Sequence, residues 1–74
     1  MKTKSIIGVT YQPLQDGSTD VILAIRYHYD MCSLTANLPI ERSKIPSDYT
    51  AALLVLAHLE CNEGAYQINL PIVC

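Results

Sequence analysis

The stretch Asp20–Tyr29 constrains the fold most. Val21, Leu23, Ile25, Tyr27 and Tyr29 alternate there with Ile22, Ala24, Arg26 and His28. Successive side chains of a strand point to opposite faces, so this period of two specifies a β-strand and excludes a helix. The first set is expected to face a core, and the second to lie on a partly solvated face.

Three further stretches carry the same period. Lys4 to Tyr11 is rich in Ile, Val and Thr, with Ile7, Val9 and Tyr11 expected on one side. Pro13 and the pair Asp16-Gly17 then mark a turn longer than a minimal hairpin. After a short turn near Asp30 and Met31, the stretch from Ser33 to Ile40 sets Leu34, Ala36, Leu38 and Ile40 against Ser33, Thr35, Asn37 and Pro39. Proline lacks a donor N–H, so Pro39 belongs at a strand end or on an edge. From Ala65 to Val73, Tyr66, Ile68, Leu70 and Ile72 face one way, and Gln67, Asn69 and Pro71 the other. The tetrapeptide Asn-Leu-Pro-Ile occurs at both Asn37 and Asn69, which is too short to define a repeat.

Only one stretch has a helical period. Glu41 to Pro46 reads as a polar loop, after which Ser47 is an N-cap candidate and Asp48 complements the positive helix end. The helix is expected from Ser47 to Asn62, with Gly64 as its stop. Tyr49, Ala52, Leu53, Val55, Leu56 and Leu59 form its apolar face. Thr50, His58, Cys61 and Asn62 lie opposite, with Ala51 and Ala57 nearby and Leu54 as the large apolar exception.

The order β-β-β-α-β specifies an α+β fold. Hairpins join the first three strands, and a right-handed crossover brings the fourth beside and parallel to the first. The expected sheet order is 3-2-1-4, with one helix on one face and the other face open. Leu23, Ile25, Leu53, Leu56 and Ile68 are the expected core. A chain of 74 residues has room for one domain, residues 1–74.

Composition narrows the function classes. Half of the residues are hydrophobic and only 16% are charged, which excludes disorder and implies apolar surface that another chain covers. Net charge is −2, and Lys2, Lys4, Arg26, Arg42 and Lys44 are scattered. Direct nucleic-acid binding is therefore not expected, because it needs a clustered basic face. The apolar stretch after the basic start ends at Val9, too early for a signal peptide, and no stretch is long enough to cross a membrane. A cytoplasmic protein is expected. Cys32, Cys61 and Cys74 contain no CxxC pair, so the cysteines read as one or two buried thiols and a free one at the tail.

The meander, helix and parallel fourth strand resemble the first half of the ribonuclease H-like fold, and Asp48 to Glu60 looks like that family's first helix. The resemblance implies carboxylates on the first strand, the helix and the fourth strand that together hold divalent metal ions. Here Asp48 falls near the helix position. The first strand offers Ile6, Ile7, Gly8 and Val9, and the fourth offers no acid. The resemblance thus implies a truncated, inactive version, similar in its reduced architecture to small antitoxin-like proteins. In size and style the chain also resembles small bacteriophage or mobile-element proteins that inhibit a host or defence enzyme.

Other chemistry is thinly supplied. His28, Cys32, His58 and Cys61 are zinc-ligand types, but the strand and helix assignments point His28 and His58 away from the helix–sheet interface. Cys61 and His58 share a helix face without an orienting third group, and the negative helix end opposes a thiolate there. Asp16 and Asp20 read as solvated acids flanking a turn, and Gly8, Gly17 and Gly64 are isolated, so no phosphate loop is present. Tyr27 and Tyr29 are expected beneath the helix. No catalytic residue, metal or cofactor is expected.

The chain therefore reads as a non-enzymatic protein–protein interaction module, and the resemblance in size and style implies a host or defence enzyme as its partner. The alternative is an assembly subunit that forms a homodimer through a sheet edge or a helix face. The expected contact residues are Ile22, Ala24, Arg26 and His28 on the open face, Thr35 and Asn37 on the edge strand, and Leu54 on the helix.

Overall fold

The computed structural model describes residues 3–61 and 63–70. Four strands form one mixed sheet, β1 (Lys4–Pro13), β2 (Thr19–Tyr27), β3 (Asp30–Leu38) and β4 (Tyr66–Ile68), in the order β3-β2-β1-β4. β1 pairs antiparallel with β2 and parallel with β4, and β2 pairs antiparallel with β3. Helix α1 (Asp48–His58) crosses one face. This is the α+β architecture expected from the strand and helix periods. The overall extents of 39 × 29 × 19 Å fit two layers, a sheet and a single helix. Among the described residues, no helix is long and apolar enough to cross a membrane.

The core lies between α1 and the sheet. Ile6, Val21, Leu23, Ile25, Ala36 and Leu38 from the strands meet Ala51, Ala52, Val55 and Leu56 from the helix. Leu23, Ile25 and Leu56 are buried as expected, whereas Leu53 and Ile68 are only half-buried.

Four features differ from the sequence-based expectation. In β1 the buried residue is Ile6, not Ile7. Ile6 lies opposite Ile25 and Gly8 opposite Ala24, so Ile7 is the extra residue of a bulge. The bulge moves the core-facing set from Ile7, Val9 and Tyr11 to Ile6, Val9 and Tyr11, because one inserted residue reverses the alternation behind it.

The β2–β3 hairpin turns earlier than expected. His28 and Tyr29 form its two-residue tip, and β3 starts at Asp30 instead of Ser33. His28 adopts φ 59°, and Tyr29 is fully exposed rather than packed under the helix. An 11-residue helix is about 16 Å long, while a nine-residue strand spans about 30 Å. The helix therefore cannot cover the whole hairpin. The uncovered end carries Cys32, which is exposed and free. Cys61 is half-buried and also free, so neither thiol is fully buried as expected, and Cys74 lies outside the described residues.

The third difference is the rotation of α1. Its buried stripe is Ala51, Ala52, Val55 and Leu56, while Tyr49 and Leu59 are exposed. Leu53 and Leu54 flank the stripe, both half-buried. Two alanines at the centre let the helix backbone approach the sheet, and the larger leucines fill the gaps on either side. The helix also ends earlier than Asn62, which is itself outside the described residues. The N–H of Glu60 donates to Ala57 O and that of Cys61 to Leu56 O, with Glu60 at φ 55°. This is a Schellman cap with glutamate at the position glycine usually takes. At the other end, the Thr50 N–H donates to Ser47 Oγ over 3.1 Å, as expected of an N-cap.

The connection before α1 is the fourth difference. Ile45, in the stretch read as a polar loop, is buried in the core. Thr19 is fully buried as well, and its hydroxyl donates to Ile40 O over 2.8 Å. That bond satisfies a polar group that would be costly to bury alone. β4 ends at Ile68, short of the expected Val73, and the stretch from Pro71 lies outside the described residues.

Candidate protein-interaction surface

The surface that the fold leaves uncovered is built on β2 and β3. In β2, Ile22 and Ala24 lie on the face opposite the helix. Thr10 and Thr35 flank Ile22, and Gly8 and Ser33 flank Ala24. These neighbours leave both residues half-buried. Arg26 is exposed between Ser5 and Met31. The open face is thus a small apolar centre in a polar frame, and it lacks the contiguous apolar area that marks a docking surface.

Two expected contact residues lie elsewhere. His28 is in the hairpin tip instead of on the open face, with its ring edge-on to Tyr27 at 4.7 Å. Leu54 packs against the core rather than away from the sheet. Asn37 lies on the open face, and its side-chain amide donates to Ser18 Oγ and Asp20 Oδ1 at 3.0 and 2.8 Å. Its side chain therefore braces the β1–β2 turn, which Asp16 closes by accepting from the Ser18 N–H and hydroxyl. These two bonds from Ser18 hold the Asp16 carboxyl below the usual carboxylate range.

The edge of β3 is the more informative part. Tyr27 pairs with Asp30 across a two-residue turn, which makes them a hydrogen-bonded pair. Hydrogen-bonded and non-bonded pairs alternate along an antiparallel ladder. Cys32, Leu34, Ala36 and Leu38 therefore direct their backbone groups at β2, while Met31, Ser33, Thr35 and Asn37 direct theirs outward. Natural edges are blunted by lysine, proline, bulges or a covering element. From Met31 to Leu38 this strand has no charge and no proline, its register with β2 is unbroken, and it ends the sheet. Thr35 was legible as an edge residue in the sequence. Met31 and Ser33 were not, because the position of the turn decides which residues point outward.

A cleft lies between α1 and β4. It measures about 300 Å³ and is lined by Tyr49, Leu53, Leu56, Tyr66, Gln67 and Ile68. No charged side chain is among these residues, so the cleft has none of the convergent ionisable groups that mark a reaction centre.

Ionisable groups do gather at the start of α1. The Tyr11 hydroxyl donates to Asp48 Oδ1 over 2.6 Å, and the Arg42 guanidinium stacks on the Tyr11 ring at 3.8 Å. Arg42 also donates to Ile45 O over 3.1 Å. Burial, followed by the hydrogen bond and the negative charge of Asp48, pushes the Tyr11 phenol up to about 12, against the opposing pull of Arg42. These bonds clamp the connection before the helix onto β1. Asp48, the acid matching a metal-binding position in the ribonuclease H-like resemblance, accepts from a phenol here. Its partners on the sheet would come from Ile6 to Val9 and from Tyr66 to Ile68, which contain no acid. These residues do not fit a pair of divalent ions. The zinc-type residues do not assemble either: among the described residues, no three His, Cys, Asp or Glu side chains converge.

No protein-family model, curated protein or solved structure matches the chain.

Proposed function

We propose that this chain is a non-catalytic protein-binding module that docks a partner on the β3 edge. The unblunted edge carries this reading. Met31, Ser33, Thr35 and Asn37 offer a row of backbone donors and acceptors in register, the requirement for adding a strand from another protein. Ile22 and Ala24 on the open face, bordered by exposed Arg26, supply the flanking side-chain contacts. The resemblance in size and style adds the partner class, a host or defence enzyme that the module inhibits.

The test is affinity capture from host lysate with the wild-type chain, Thr35→Pro and Ile22→Asp in parallel. Proline at Thr35 removes a donor that β2 does not use, so the sheet is retained while the edge is lost. A partner held by the wild type should be lost from Thr35→Pro and weakened by Ile22→Asp, with circular dichroism unchanged. A partner that binds both variants as tightly as the wild type refutes the reading.

A further inference from the structure

The edge is complementary to itself. We infer that β3 pairs antiparallel with β3 of a second copy, centred on Leu34, to make one continuous eight-stranded sheet. The inference rests on the reading of β3 as a docking edge and names what occupies that edge in the free chain, which an enzyme partner has to displace.

Hydrogen bonding selects the register. The outward groups belong to Met31, Ser33, Thr35 and Asn37. With Leu34 on the two-fold axis, Met31 meets Asn37 of the second copy and Ser33 meets Thr35. Every outward residue then finds an outward partner, giving roughly eight backbone hydrogen bonds. Moving the axis by two residues leaves one end of the row unpaired. Moving it by one residue also leaves an end unpaired, with a smaller loss, and moving it by half a residue sets outward groups against residues whose backbone groups are already bonded to β2.

Charge and packing agree with that register. Asp30 is the one charged residue in β3. Antiparallel pairing about Leu34 sets it opposite Leu38 of the second copy, whereas parallel pairing in register would set it beside its own counterpart. Opposed like charges destabilise a strand pair. The axis is perpendicular to the sheet, so both helices lie on the same side. On that side Leu34 meets Leu34 and Cys32 meets Ala36. This covers the exposed Cys32 and the half-buried Leu34 at the rim of the core. On the other side Ser33 meets Thr35, a favourable cross-strand pair.

Sedimentation equilibrium of the full chain, under reductant and from low micromolar to near-millimolar concentration, reads the association directly. The mass should rise from that of one 8.2 kDa chain to that of two, and Thr35→Pro should remain at one chain throughout. The register is read by disulfide trapping in a background of Cys32→Ser, Cys61→Ala and Cys74→Ser. Leu34 sits in a non-hydrogen-bonded pair on the axis, with Cα atoms about 4.5 Å apart, inside the disulfide range. Leu34→Cys should therefore oxidise to a covalent dimer. Thr35→Cys should not, because its two copies lie beyond about 7 Å and off the axis. A chain that stays monomeric at every concentration overturns the second copy. It leaves the protein-binding reading intact if Thr35→Pro still loses another partner. A dimer that survives Thr35→Pro, or that cross-links through Thr35→Cys in place of Leu34→Cys, places the contact elsewhere. If Thr35→Pro does not fold, the cysteine pair decides alone.

Discussion

Truncating Leu56 and Leu53 separately tests the rotation of α1. Both belong to the apolar face read from the helical period and both border the cleft, but Leu56 is 1% exposed in the core and Leu53 is half-buried. Leucine to alanine removes three carbons, worth about 2.4 kcal/mol of transfer free energy at about 0.8 kcal/mol each. At Leu56 a cavity term is added. Its neighbours on the buried stripe include Ala51 and Ala52, which have no side chain that can swing into the space. A total of about 3–4 kcal/mol follows, within the usual range for buried leucine. Leu53 keeps part of its surface in water, and its removal widens an open cleft without creating a void, so about 1 kcal/mol is expected. At about 0.05–0.15 kcal/mol per residue, a domain of this size has a total stability of roughly 4–11 kcal/mol. Leu56→Ala thus removes a large share of it. Urea unfolding followed by far-ultraviolet circular dichroism measures both variants. Equal losses, or a larger loss for Leu53→Ala, would show that the helix is rotated towards Leu53 and that the buried stripe is assigned wrongly.

Glu60→Gly should raise stability by about 0.5–1 kcal/mol, because glutamate at φ 55° bears a left-handed penalty that glycine escapes, partly offset by glycine's greater freedom when unfolded. A lower melting temperature would refute this. Ser47→Ala should cost about 1 kcal/mol in urea unfolding through loss of the bond from the Thr50 N–H. The Tyr11 phenol is raised from 10.0 to about 12, so between those values the unfolded chain has released a proton that the folded chain keeps, and stability falls as pH rises through that window. Tyr11→Phe should flatten this part of the alkaline stability profile, as followed by unfolding at a series of pH values, and an unchanged slope would exclude Tyr11 as its source.

The sequence alone determined the element types, their order and the sheet order β3-β2-β1-β4. Periods of two and 3.6 are local signals, and short hairpin connections with one right-handed crossover leave few topologies. It also marked β3 as an edge and placed Ile22 and Ala24 on the open face. Only the tertiary structure decided the details that shape the proposed docking edge. The bulge at Ile7 is invisible to periodicity because Ile6, Ile7 and Val9 are all apolar, and only pairing with β2 shows which one faces the helix. The rotation of α1 turned on Ala51, whose burial reflects how closely two layers can approach and not how hydrophobic the residue is. Ile45 became core because the connection before the helix folds over the sheet. His28 and Tyr29 left the strand because the chain turns there, with His28 at φ 59°, and an 11-residue helix is too short to cover that end. That same turn sets the parity of the β3 ladder, and the parity directs the backbone groups of Met31, Ser33, Thr35 and Asn37 outward. Local periodicity tells which residues can share a face. Which face is buried, and which backbone groups stay unpaired, depends on contacts between segments far apart in the chain.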